Sequence, residues 1–465
     1  MREHLFSSIA IARPFHKGRM TFALPLVALA LVACSDDSAG SSDTADTSDT
    51  TPSGRSFLLA ARAEGYDITR ARPFYATLDT LTFPAPTPEA PADPPSPEPP
   101  PALPDRPVEA LVLPVDLLGI PWTSFNGPDN RPGSLPAPWL AELDAMAALA
   151  TSTGLPLVIA VSPLAETHDT LAPLASDGAG ALVLNPTWKP SCYDPSADSN
   201  PTLHRDQFAG FVVWLAERLQ PDAILLAQRI NLYEANCGAS AFNALKGFAS
   251  HAHERLQAAS TVTKKPLTAV TFDVEDLYGF PAKAGRCVGA TPKDCLATRA
   301  PLLSDLGVDR LGLESHPFRA LPELSDLATI PRDWLAAVAN AQPSPALPAF
   351  IASTGVPAAR LDAQRGACAP FIESSESAQR AWLDQALSFS AAQDAPYLVW
   401  RTLIDPLPTT TLTSCPCAGT VADCTHLEGL GNRRDDRRAL LASGLASSDT
   451  TARQALVLWR SLLER

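Results

Sequence analysis

Five carboxyl side chains stand at or just beyond the ends of short apolar runs. They are Glu234 after "AILLA", Asp273 and Glu275 in "TFDVED", Glu314 closing "RLGLE", and Asp405 after "YLVWR". Carboxyl groups held in place this way serve as general acids and bases when their pKa is tuned toward the working pH. One of the same runs ends in a cation instead. The stretch "AILLAQRINLYEANC" delivers Gln228, Arg229 and Asn231 at its carboxyl end. A guanidinium, with a pKa above about 12, is no general acid near neutral pH. Several other chemistries have no pattern here. There is no Gly-x-Ser-x-Gly elbow, no phosphate-cradling glycine loop and no paired-histidine zinc helix. His251 and His253 are two apart, a spacing that does not share a helix face, and they read as solvated helix surface. The charge run "GNRRDDRR" at Gly431–Arg438 reads as another solvated face.

The elements that must position these groups alternate along the chain. Apolar runs suited to strands fall at Ser56–Ala61, Glu109–Val115, Leu155–Val161, Ala223–Ala227, Leu267–Thr271, Arg310–Glu314, Pro348–Ala352 and Tyr397–Arg401. Between them lie amphipathic patterns such as "PAPWLAELDAMAALATSTG", "RDQFAGFVVWLAERLQ" and "SAQRAWLDQALSFSAAQ", with apolar residues three and four apart. Short apolar strands alternating with helices imply a parallel sheet covered on both faces. Eight such units predict a (β/α)8 barrel, whose sites are built at the carboxyl ends of the strands. The segment Phe83–Pro107 is about half proline and therefore extended. It is read as an insertion between the first and second strands of a barrel domain spanning 55–465. The alternative is a linker, with the barrel starting at Glu109.

The amino terminus indicates export. Arg2, Arg13, Lys17 and Arg19 precede the apolar run Phe22–Cys34, which has the order of a signal peptide over 1–33. It closes in "LVAC", similar to the lipobox of bacterial lipoproteins, where the cysteine (here Cys34) is lipidated and anchors the chain to a membrane. Residues 34–54, rich in Ser, Asp and Thr, form a tether with nothing to bury. The expected location is the bacterial cell envelope. A net charge of −14, with no basic stripe, argues against a nucleic-acid partner. Setting Cys34 aside leaves an even number of cysteines, which in an exported chain suggests disulfides. All follow a proposed strand, and none is expected in a core helix. Cys287–Cys295, and Cys415 or Cys417 with Cys424, are the expected local pairs. "CPCAGTVADCTH" with His426 is a weaker zinc pattern, so neither a metal nor a cofactor is expected.

The strand ends resemble those of clan A glycoside hydrolases, and most of all the endo-β-1,4-galactanase (family 53) group and its lipoprotein relatives. The resemblance rests on "AQRIN" at Ala227–Asn231 with Tyr233 beyond it, "LESHP" at Leu313–Pro317, "IASTGVP" at Ile351–Pro357, "VWRTLIDP" with Trp400 and Asp405, and "IPWTSF" at Ile120–Phe125. It implies an acid/base Glu after the fourth strand and a nucleophile Glu after the seventh. In this chain those positions hold Arg229 and Ser353.

Retaining hydrolysis needs two carboxyl groups about 5 Å apart, so losing both implies a degenerate cleft that binds a glycan or a protein partner. Two other outcomes stay open. Glu314 with Asp273 or Asp405 would form a relocated pair for inverting hydrolysis, at the wider separation of about 6.5–9.5 Å. The plain role for Glu314 is instead an ion pair with Arg229 or Arg401 that fills the vacated pocket, and the second alternative for the chain is an interaction protein with no carbohydrate link. The expected ligand contacts are Asn231, His316, and the rings of Tyr233, Trp122 and Trp400 as stacking platforms, with core packing the competing role for each ring.

Overall fold

The structure is a computed structural model that describes residues 55–62, 107–115, 121–125, 137–164, 202–280, 290–320, 330–362, 374–403 and 452–463, with shorter pieces between them. Outside the described residues lie the signal-like run, Cys34, the tether, nearly all of the proline tract, the run 431–438, Cys368, Cys415, Cys417, Cys424 and His426. Among the described residues no helix is long and apolar enough to cross a membrane.

The eight apolar runs become eight parallel strands: β1 (Leu58–Arg62), β2 (Ala110–Pro114), β3 (Leu157–Ala160), β4 (Ala223–Ala227), β5 (Leu267–Asp273), β6 (Arg310–Ser315), β7 (Ala349–Thr354) and β8 (Tyr397–Trp400). Each strand pairs with its neighbour in sequence. β1 also pairs with β8, through Leu58 opposite Tyr397 and Ala61 opposite Trp400, so the sheet closes into a (β/α)8 barrel. β1, which precedes the proline tract in sequence, is one of the eight strands of the closed barrel. At its amino end Arg55 pairs with Glu109, which accepts a hydrogen bond from the Leu59 amide at 2.8 Å, while Arg55 donates to the Leu462 carbonyl at 2.8 Å. These contacts tie the first strand to the second and to the last helix.

Around the barrel run α1 (Ala137–Ser152), α2 (Leu203–Leu219), α3 (Ile230–Ala258), the single turn α4 (Val274–Leu277), α5 (Pro292–Arg299), α6 (Trp334–Asn340), α7 (Glu376–Ala392) and α8 (Gln454–Leu463). Local chemistry starts them. Ser375 caps α7 by accepting from the Ala378 amide at 3.2 Å, and Glu376 adds a negative charge in the first turn. Thr291 caps α5 in the same way, with Pro292 at the first helical position. Trp382, Leu383, Ala386 and Phe389 turn one face of α7 toward the core.

The barrel interior leaves little room near the site. A Cβ on Gly312 in β6 would lie 2.8 Å from Thr271 Cγ2 and 3.1 Å from Ala352 Cβ. The register shifts near the carboxyl ends of three pairings: between Leu225 and Ala227, between Leu313 and Glu314, and between Leu398 and Trp400. Bulges of this kind re-aim side chains at barrel rims.

Among the described residues two disulfides brace this end. Cys287–Cys295 joins the segment after β5 to α5, and Cys192–Cys237 links the segment after β3 to α3 across 45 residues. The first pair matches expectation. The second corrects one: Cys237 lies inside the span of α3, next to a break where Gly238 adopts φ 82°. The expectation for His251 and His253 is also corrected. Both are half-buried, His251 against Asp206 at 2.6 Å and His253 against Thr268 at 2.8 Å.

Candidate functional site at the barrel mouth

The carboxyl ends of β4, β5, β6 and β7 bring together Arg229, Asp273, Glu314 and Ser353. Glu314 is in register with Asp273 on one side and Ser353 on the other. Arg229 stands between β4 and α3 with φ 49° and ψ 47°, a left-handed conformation that costs a residue with a Cβ about 1 kcal/mol or more. Its amide donates to Thr271 Oγ1 at 2.8 Å, and the Thr271 hydroxyl donates in turn to Glu314. The Arg229 side chain meets Glu314 at 3.8 Å. The ion-pair role weighed for Glu314 is thus the geometry present.

The other carboxyl groups have partners of their own. Asp273 pairs with Arg319 and caps α4 by accepting from the Asp276 amide at 3.0 Å. Glu234 meets Arg299 at 3.3 Å, and Arg299 also holds Asp276 at 2.8 Å. Asp405 is buried against Arg453 and accepts from the Gly444 amide at 2.8 Å. Its position as half of a relocated pair is therefore taken up by structural contacts.

Glu275 is fully buried and accepts from Ser315 Oγ at 2.6 Å, the His316 amide at 2.9 Å and Trp334 Nε1 at 3.4 Å. Burial, and then the nearby charge of Asp273, push its pKa up to about 7. That value would suit a general acid, but the group is fully buried.

His316 is buried, with Nε2 3.4 Å from Ser353 Oγ. Burial and the charges of Arg401, Arg319 and Arg229 hold its pKa well below the ordinary histidine range. A serine nucleophile needs a base to activate it, and a contact of 3.4 Å between two buried side chains is a loose one.

The five expected ligand contacts are all buried. Asn231 spends its side chain as an internal clasp, donating to the Asp273 carbonyl at 2.9 Å and to Asp276 at 2.8 Å, and accepting from the Asp273 amide at 2.8 Å. The Tyr233 hydroxyl accepts from the Tyr193 amide at 2.9 Å. Trp400 donates to the Ser443 carbonyl at 2.9 Å. Trp122 packs edge-on against Phe208 and Phe248. A stacking platform needs an open ring face, and Trp122, Tyr233 and Trp400 are fully buried. His316 offers no exposed edge either.

Arg229 and Arg319 are partly open, with side chains 24% and 16% exposed, and so is Glu234 at 22%. The sequence reading passed over Arg319 and Arg62. Their signal was an arginine at or just past a strand end, repeated in "AAR" at Arg62, "AQR" at Arg229, "HPFR" at Arg319 and "VWR" at Arg401. Among the described residues no group of three or more His, Cys, Asp or Glu side chains could hold a metal ion.

These features define a (β/α)8 barrel whose mouth is built from arginine–carboxylate pairs. Solved structures of similar fold include the exo-β-1,4-mannosidase Op5Man5 from Opitutaceae bacterium strain TAV5, with 12% identity, a TM-score of 0.48, and coverage of 89% of this chain and 60% of that one. This chain thus spans 60% of that mannosidase's length. GH10 from Paenibacillus barcinonensis is 8% identical over 88% of this chain and 96% of its own, with a TM-score of 0.45. A glycoside hydrolase family 17 β-1,3-glucanosyltransferase from Rhizomucor miehei is 11% identical over 86% and 96%, with a TM-score of 0.39. No family model and no curated protein matches the chain. At such identities a likeness concerns the path of the chain, and function rests on the site.

Proposed function

We propose that this chain is an exported lipoprotein, anchored through Cys34, whose barrel descends from a glycosidase resembling the family 53 group and holds a glycan or a protein partner at the former active site without cleaving it. The observation that carries this reading is the pairing of Arg229 with Glu314 at 3.8 Å, with Ser353 in register beside Glu314. Hydrolysis of a glycosidic bond needs one carboxyl group to give a proton and another to act as base or nucleophile. Arg229 supplies neither function, because a guanidinium gives up no proton near neutral pH and offers no carboxylate. Asp273 and Asp405 are each tied to a guanidinium.

The competing reading is an active hydrolase using Glu314 with Asp273. It is favoured by one observation, that these two residues are register partners on adjacent strands.

The test is release of reducing ends from a panel of β-linked polysaccharides, galactan included, by the full chain in mild detergent, with Glu314→Gln beside it. No release by folded protein is the expected result. Release by the wild type that Glu314→Gln abolishes would replace this reading with the hydrolase. Anchoring is tested separately, by metabolic labelling with a fatty acid, which Cys34→Ser is expected to abolish.

A further inference from the structure

The start of α3, Ile230–Cys237, is set off from the rest of the helix. Arg229 precedes it at φ 49°, and Gly238 follows it at φ 82° and ψ 175°. Positive φ at both ends marks this stretch, about 12 Å long, as a unit of its own. The Gly238 angles are open to glycine and strained for any residue with a Cβ.

The inner side of this unit is anchored. Ile230, Asn231 and Tyr233 are fully buried, and Asn231 holds the end of β5 through the amide and carbonyl of Asp273. Its outer end is pinned by Cys192–Cys237. Both cysteines are half-buried, while Asn236, Gly238, Ala239 and Ser240 beside Cys237 are exposed. A reagent in solution can therefore approach this bond. The pair Cys287–Cys295 is shut away by comparison. Cys295 is 1% exposed, and a Cβ built on Gly279 would lie 3.0 Å from its sulfur, so the Gly279 backbone covers that side.

We infer that Cys192–Cys237 is a site of reductive modification by a dithiol, and that opening it loosens the turn Glu234–Cys237 while α3 beyond Gly238 stays folded. Thiol–disulfide exchange is governed by access to the sulfur attacked as well as by the thiols themselves. One thiolate of the reagent attacks one sulfur of the pair, and the other cysteine leaves as a thiolate and takes up a proton. The second thiol of the reagent gives up its proton, attacks the mixed disulfide and frees the first cysteine. Two electrons pass to the protein, and the reagent departs as its own disulfide.

The opened turn keeps part of its hold. Asn236 donates to the His168 carbonyl at 2.8 Å, and the Tyr193 amide donates to the Tyr233 hydroxyl at 2.9 Å. Beyond the break, Phe242, Leu245, Phe248 and Ala252 are buried on the inner face of α3. Nothing in this exchange depends on a ligand at the mouth.

The test is native-state reduction of the full chain in mild detergent by dithiothreitol, quenched with iodoacetamide at intervals. Peptide mass spectrometry then gives the rate at which each pair opens. Cys192–Cys237 is expected to open about ten-fold faster than Cys287–Cys295, or more. A longer closed loop favours a bond at equilibrium, so the comparison is one of rates. Hydrogen exchange after opening is expected to rise at residues 234–238 and stay unchanged at 241–258, and reoxidation should reverse the rise. Cys192→Ser combined with Cys237→Ser should show the opened pattern without reductant. If that variant fails to fold, the reversible reduction of the wild type still decides.

Equal rates for the two pairs, or faster opening of Cys287–Cys295, would overturn the site. So would opening that occurs only as 241–258 lose protection, which would make reduction a consequence of unfolding. Opening that leaves exchange at 234–238 unchanged would overturn the loosened turn.

Discussion

Replacing Glu275 with glutamine is expected to remove most of one pH-dependent component of stability. The carboxyl of Glu275 is fully buried, and its pKa is raised from 4.5 to about 7, first by burial and then by Asp273. Between those two values the folded chain holds a proton at this position that the unfolded chain has already released. Stability from this group therefore falls as pH rises through the window, and the loss is complete above about 7. At about 1.4 kcal/mol per pH unit the loss amounts to about 3 kcal/mol. Glutamine keeps the carbonyl acceptor and never ionises, so it mimics the protonated form.

Urea unfolding of both proteins at intervals from about pH 5 to 8 measures the effect. The difference between the two curves should grow by about 3 kcal/mol in favour of Glu275→Gln as pH rises. His316 acts with the opposite sign. Its lowered pKa withholds a proton from the folded chain, so its contribution weakens as pH falls through the ordinary histidine range. That component is common to both proteins and cancels in the difference. Asp273→Asn supplies a control, because removing the neighbouring charge should move the Glu275 transition to lower pH. Parallel curves for wild type and Glu275→Gln would refute the reasoning and mean that the three donors to Glu275 fully offset its burial.

Gly312→Ala is expected to cost about 1–3 kcal/mol, seen as a lower thermal midpoint, since the new methyl would press on Thr271 Cγ2 at 2.8 Å and Ala352 Cβ at 3.1 Å. Replacing both Cys192 and Cys237 with alanine should destabilise more than replacing Cys287 and Cys295, because the closed loops differ, at separations of 45 and 8 residues. Chain entropy puts the two losses at about 4 and 2.5 kcal/mol as upper values, measurable by urea unfolding.

Much of the architecture is written locally in the chain. Each of the eight barrel strands is four to seven residues long and built mostly on an apolar run, and the observed strands fall within about two residues of the expected bounds. The helices follow from apolar spacing and from caps such as Ser375 and Thr291. The pair Cys287–Cys295 is also a local feature, closed within one connecting segment. The positions of Arg229 and Ser353 at strand ends were legible for the same reason, because a strand that stops places its next residues at the mouth.

What tertiary structure decided is which side chain answers which. Glu314 meets Arg229 from another strand, Asp405 meets Arg453 from the segment before the last helix, and Arg62 crosses the barrel to Gln228. Barrel closure sets those distances, and no spacing in the chain encodes them. Burial was decided there too. A tryptophan after a strand reads equally well as a sugar platform or a core residue until the helices outside are placed, and Trp122 and Trp400 end in the core. Residue type and periodicity determine which elements form. The charge balance of a cleft depends on groups far apart in sequence becoming neighbours, and here only the closed barrel brings them together.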